Sequence, residues 1–179
     1  MQRVIHFRIL IDHDEDVFRD IELNASDTFH TLHNLIQEAF GFANDQMASF
    51  YVSNEDWEKG QEIALLEVKV PEESGEPIWL MEDTPLSKII FEKDQKLLYV
   101  FDFLLMWCFY IDVISVKTLE ETVILPRITH SFGTAPDQYA KSTEVLFNSE
   151  SITPWDDEDI EEDELEALFR MMGDNVQFN

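Results

Sequence analysis

Residues 96–118 read KLLYVFDFLLMWCFYIDVISVKT, the most apolar stretch of an acidic chain, and its reading decides the fold. Leu97 to Val116 has the length of roughly 20 apolar residues that a membrane-spanning helix requires. Yet Asp102 and Asp112 lie inside it, and each costs about 2.5–3.5 kcal/mol at the centre of a spanning helix. No cluster of Lys or Arg flanks the stretch to set an orientation. Read with a period of two, Tyr99, Phe101 and Phe103 fall on one side and Leu98, Val100 and Asp102 on the other. Further on, Trp107, Phe109, Ile111 and Val113 alternate with Cys108, Tyr110, Asp112 and Ile114. β-Branched and aromatic residues suit such a pleated surface. The stretch is predicted to form two core β-strands.

Working outward, the N-terminal segment has the same character. Ile5, Phe7, Ile9 and Ile11 alternate with His6, Arg8 and Leu10; after the polar turn His13–Asp16, Val17, Arg19, Ile21 and Leu23 resume the alternation. These runs are expected to pair as an antiparallel hairpin. Ser26 or Asp27 is the expected cap of a following helix, and Gly41 its left-handed terminator. Phe29, Leu32, Leu35, Ile36, Ala39 and Phe40 recur between them at helical spacing, so the helix should lie across the hairpin. Further strands are expected at Phe50–Val52 and Glu62–Val70, a turn-rich loop over Pro71–Pro77, and a short helix after Thr84-Pro85. Pro126–Gln138 reads as irregular. The fold class is therefore α+β: a β-hairpin plus helix packed on a mixed sheet, in a β-grasp-like arrangement.

The domain is expected over residues 1–147, with an acidic tail over 148–179. Asp156–Glu166 is almost wholly acidic, which favours an extended chain. Ile160, Leu165, Leu168, Phe169 and Met172 nevertheless share one face of a possible helix, the candidate docking residues for a partner.

Charge narrows the function classes. The chain has 12 basic and 38 acidic residues, a net charge of −26, so its long-range field repels nucleic-acid phosphates and anionic membrane surfaces. A basic protein is the expected kind of partner, and mimicry of nucleic acid by carboxylates is one alternative reading. With one cysteine, Cys108, no internal disulfide forms. His6 and Arg8 interrupt any signal-like apolar run, and the expected location is the cytoplasm.

No complete catalytic constellation is legible. There is no Gly-x-Ser-x-Gly elbow and no Gly-rich phosphate loop, and the acidic run lacks the alternating ligands and central Gly of a calcium loop. His30 and His33 stand three apart on the helix, a spacing some metal pairs use, but without a nearby Cys or carboxylate. Cys108 between Trp107 and Phe109 should be an inert thiol. Asp102, between Phe101 and Phe103, must reach solvent or find a donor. No cofactor is expected, and the first reading is a non-catalytic binding module. The alternative is an enzyme or metal-binding domain using His33, Gln37 and Asp102.

Several of these segments together resemble one family. Leu32-His33-x-x-Ile36-Gln37-x-Ala39-Phe40-Gly41-Phe42 is similar to the helix signature of the plasmid pRiA4b open-reading-frame-three-like domain. Tyr99-x-Phe101-Asp102-Phe103 with Trp107 resembles that family's Tyr-Asp-Phe-Gly-Asp-x-Trp segment. His130-Ser131-x-Gly133-x-Ala135-Pro136 resembles its downstream Gly-x-x-Pro-Pro-Glu-Asp loop. The resemblance spans roughly residues 3–140 and implies a bacterial α+β domain whose biochemical role is not established. Gln46-Met47-Ala48 stands where the family commonly has His-Leu-His. Leu104-Leu105-Met106 stands for its Gly-Asp, Phe109 for a His, and Gln138-Tyr139 for the acidic end of the loop. These departures imply that a shared polar site, if the family has one, is lost here, although His33, Gln37 and Asp102 are kept.

Overall fold

Strands dominate because apolar residues alternate through most of the chain, and one helix closes over the face they make. The computed structural model describes residues 1–67 and 77–141. The tail with Ile160, Leu165, Leu168, Phe169 and Met172, the boundary at 147/148, and most of the Pro71–Pro77 loop lie outside the described residues. In order come β1 (Gln2–Ile11), β2 (Phe18–Asn24), α1 (Phe29–Phe40), β3 (Ala48–Ser53), β4 (Lys59–Ala64) and β5 (Trp79–Leu80). A 3₁₀ turn (Leu86–Lys88), β6 (Lys96–Phe101), β7 (Trp107–Leu119) and β8 (Arg127–Phe132) follow. The strands form one sheet in the order β5-β4-β3-β6-β7-β1-β2-β8. β4 and β5 pair in parallel and the other neighbours antiparallel. Among the described residues the fold is thus α+β and mostly sheet, with one helix on a mixed sheet.

The stretch 96–118 is two strands, β6 and β7, joined by a turn and paired from Lys96↔Asp112 to Phe101↔Trp107. Among the described residues no helix is long and apolar enough to cross a membrane. The hairpin pairs from Val4↔Asn24 to Leu10↔Phe18. Its face carrying Ile5, Phe7, Ile9, Ile11, Ile21 and Leu23 is buried. α1 lays Phe29, Leu32, Leu35, Ile36 and Phe40 into that core. Each such side chain contributes about 1.5–3 kcal/mol when fully buried.

Both helix ends follow from single residues. Thr28, rather than Ser26 or Asp27, is the N-cap: its Oγ1 accepts from the Thr31 N–H. Asp27 instead accepts from the Asn24 N–H and fixes the turn before the helix. Gly41 ends α1 with φ 71°, and the N–H groups of Gly41 and Phe42 reach Glu38 and Gln37 carbonyls, as a left-handed cap requires. Beyond it, the Arg19 guanidinium, only 7% exposed, donates to the carbonyls of Ala39, Phe18, Phe132 and Gly133. A cation at the last turn complements the helix dipole, and here it also ties α1 to β8.

Several segments differ from expectation: the strand expected at Glu62–Val70 runs over Lys59–Ala64 instead, and residues 68–70 lie outside the described residues. The region after Thr84-Pro85 makes only the 3₁₀ turn Leu86–Lys88. Pro126–Gln138 is not wholly irregular, because Arg127–Phe132 pairs with β2. All six residues of β8 are exposed. A strand covered on neither face needs no apolar alternation, so periodicity does not reveal it.

Candidate functional site

The residues singled out for chemistry sit on three segments, and the fold brings those segments together. α1 supplies His33 and Gln37, both essentially inaccessible. β6 supplies Tyr99, whose ring is fully buried. The Tyr99 hydroxyl lies 2.7 Å from His33 Nδ1 and 2.9 Å from Gln37 Nε2. His33 Nε2 is bonded in turn to Asn44 Oδ1, and Asn44 Nδ2 donates to Asn34 Oδ1 at 2.9 Å. With the amides so oriented and the imidazole neutral, the directions of the bonds follow. Gln37 donates to the Tyr99 oxygen, Tyr99 donates to His33 Nδ1, and His33 donates from Nε2 to Asn44. This chain of bonds fastens the helix to the central strand and to the loop after the helix.

Electrostatics agree with a neutral imidazole. Burial lowers the His33 pKa to about 4, against a partial offset from the Asn44 hydrogen bond and a further lowering by His30. Burial likewise pushes the Tyr99 hydroxyl upward. Gln37 Oε1 is buried without a partner among the described residues, a group whose desolvation costs about 1–3 kcal/mol. His30 stacks beside His33 at 6.1 Å, yet both His33 nitrogens already have partners. Among the described residues no three His, Cys, Asp or Glu side chains converge as a metal-ligand group.

Asp102 has another task. It ends β6 with φ 56°, and its Oδ1 accepts from the N–H groups of Leu104 and Leu105 at 3.0 and 3.1 Å. Its own N–H donates to the Met47 carbonyl, and the Met106 N–H donates back to its carbonyl. A short acceptor side chain that tolerates a left-handed backbone is what this tight turn needs. The donors that Asp102 requires are therefore main-chain groups, and it shares no hydrogen bond with His33 or Gln37. Cys108 is half-buried rather than sealed in the core, and burial, then the nearby Asp12 charge, pushes its thiol up.

Sequence reasoning passed over the residue that closes the cluster. Gln138, 4% exposed, accepts from the Ala43 N–H at 2.6 Å and donates to Asp45 Oδ1 at 2.8 Å. The Trp107 indole donates to the Gln138 carbonyl at 2.9 Å, and the Phe42 ring meets Trp107 edge-on at 5.3 Å. Tyr139 donates to Asp45 Oδ2. The loop after β8, the loop after α1 and the start of β7 are thus joined by one residue, through its side-chain amide and its main-chain carbonyl. A glutamate here has no N–H for Asp45 and sets carboxylate against carboxylate, so Gln138 and Asp45 are matched. The signal was present as a departure from the motif, but its partner is 93 positions away.

The second sheet face carries a pattern that only register reveals. Lys96, Asp112, Arg8, Asp20 and His130 stand side by side across β6, β7, β1, β2 and β8. Lys96 Nζ lies 2.7 Å from Asp112, and Arg8 grips Asp20 through two 2.8 Å bonds. That grip holds the Asp20 carboxyl below its ordinary range. The adjacent row is apolar: Leu98, Tyr110, Leu10, Phe18 and Phe132.

Two outcomes follow for the cluster. Tyr99→Phe removes one oxygen and strands two buried groups, so urea unfolding should show a loss of about 1–3 kcal/mol with unchanged secondary structure; an unaltered midpoint would contradict the bonding described. Gln138→Glu should lower the melting temperature, and Asp45→Asn in the same chain should restore most of it. Equal melting temperatures for Gln138→Glu with and without Asp45→Asn would show that the two side chains are not matched.

No curated protein gives a match to this sequence. Among solved structures, the crystal structure of the protein of unknown function MM3350 from Methanosarcina mazei Go1 superposes with a TM-score of 0.65 at 21% identity. The match covers 100% of this chain and 96% of that one, a likeness of fold. The model of the family described as plasmid pRiA4b ORF-3-like protein matches residues 3–176. The helix motif, the Tyr99–Trp107 segment and the loop through Gln138, which meet in one cluster, are thus segments of a family match over nearly the whole chain: this protein belongs to the plasmid pRiA4b ORF-3-like family.

Proposed function

We propose that this chain is a binding module without catalytic activity, working in a reducing compartment where the lone Cys108 stays a thiol. One observation carries the reading: the residues best suited to chemistry are engaged in joining segments of the fold. Both nitrogens of His33 are bonded, to Tyr99 and to Asn44. Gln37 is bonded to the same hydroxyl, and the Asp102 carboxylate caps a turn. A general base or metal ligand needs a lone pair directed at a reacting atom, and the lone pair of neutral His33, on Nδ1, is directed at Tyr99.

The competing reading, a metal-binding or catalytic domain using His33, Gln37 and Asp102, has a direct check. Zinc, iron and manganese, measured in protein purified without chelators, are expected far below one equivalent. One equivalent of metal that disappears in His33→Ala protein would overturn the proposal.

A further inference from the structure

The two edges of the sheet are built differently. One edge is β5, two half-buried residues paired in parallel with β4, which is the blunt ending that discourages strand addition. The other is β8, six residues long and exposed throughout. It pairs with β2 on one side. On the other side it has no strand neighbour among the described residues. Exposed apolar side chains accompany that edge: Ile128 at 38% and Phe132 at 51% on β8, and Ile124 just before it at 90%.

One end of this edge is acidic. The exposed turn Asp14-Glu15-Asp16 lies there, because Gly133, which follows β8, packs on it so closely that a Cβ there would stand 2.5 Å from the Asp16 carbonyl.

We infer that the β8 edge is a docking site for an extended basic segment of another protein, which adds as a ninth strand with Lys or Arg at the end beside Asp14–Asp16. The inference rests on the reading of this chain as a binding module and names its partner class. Main-chain bonds to β8 supply the affinity common to strand addition, and side-chain chemistry supplies the choice. On the second sheet face the added strand continues the two rows that end at His130 and Phe132, so an apolar side chain beside Phe132 extends the stack it forms with Phe18 at 5.2 Å. The carboxylates of Asp14–Asp16 favour a basic end and, with the net charge of −26, steer its approach. A second copy is the poorer occupant. Each copy carries a net charge of −26, so the long-range field of one opposes the approach of the other.

The probe is a ten-residue peptide, alternating Val and Thr over six positions with two lysines at each end, titrated into the full-length ¹⁵N-labelled chain. Amide shifts should concentrate on Arg127–Phe132, and the affinity should fall at least about tenfold between about 50 and about 500 mM salt. A peptide with glutamates in place of the lysines should bind at least about tenfold more weakly. The variant Asp14→Lys/Glu15→Lys/Asp16→Lys should remove most of that preference. A lysine peptide interrupted by three prolines keeps the charge and loses strand pairing, so it should not bind; this control separates β8 from the acidic run at 156–166. Equal binding of the proline peptide, shifts away from β8, or no binding would each overturn the inference. So would a dimer of the free chain that protects β8 amides. None of those outcomes alters the metal analysis, so failure here is distinct from failure of the binding-module reading.

Discussion

The Tyr99 hydroxyl is the point on which the joined segments depend. It is one oxygen in a fully buried side chain, and it accepts from Gln37 while donating to His33. A buried hydroxyl without partners costs more than a satisfied one gains, so the position of α1 over β6 is narrowly specified. Apolar contacts alone tolerate a helix that slides along its groove, whereas this pair of bonds does not. The loop after the helix inherits that position through Asn44, and Gln138 then fixes the loop after β8 to it. Position passes along polar contacts from the centre of the sheet to its surface.

Much of the architecture was legible because it is written in periodicity. The strand pair at 96–118, the N-terminal hairpin, the helix stripe and the Gly41 terminator each follow from short-range pattern. What periodicity could not give was β8, whose residues face solvent on both sides and so carry no buried stripe. It also could not choose between Ser26, Asp27 and Thr28 as the cap, since all three side chains are competent and local geometry decides. At the candidate site, His33 and Gln37 were recognisable from their place on the helix shoulder. Their shared partner was read only as an apolar strand residue, because a core tyrosine looks like a phenylalanine until its hydroxyl is placed. Asp102 was read as needing either solvent or a donor, and the structure gives it main-chain N–H donors.

The two sheet faces divide the labour. One buries the aromatic and aliphatic core beneath α1. The other carries a row of alternating charge beside an apolar row, both perpendicular to the strands and both ending at β8. Opposite charges placed on neighbouring strands fix register, and an edge left long and exposed is the feature that register alone does not require. The membership of the plasmid pRiA4b ORF-3-like family and the likeness to the Methanosarcina mazei Go1 structure make this architecture a shared one. The match of Gln138 with Asp45 shows how a departure from the shared motif is accommodated locally.

The central claim is that the most chemically suggestive residue of the chain, His33, is a neutral structural link. Side-chain ¹⁵N shifts of its imidazole, followed by NMR from pH 8 to pH 4.5, test this most directly. A folded-state pKa near 4 lies below the ordinary 6.5. The ring should therefore stay uncharged with hydrogen on Nε2, and proton uptake by the unfolded chain should erode stability as pH falls from about 6.5 toward 4. A ring that protonates near pH 6.5 in the folded protein, or that carries its hydrogen on Nδ1, would contradict the account.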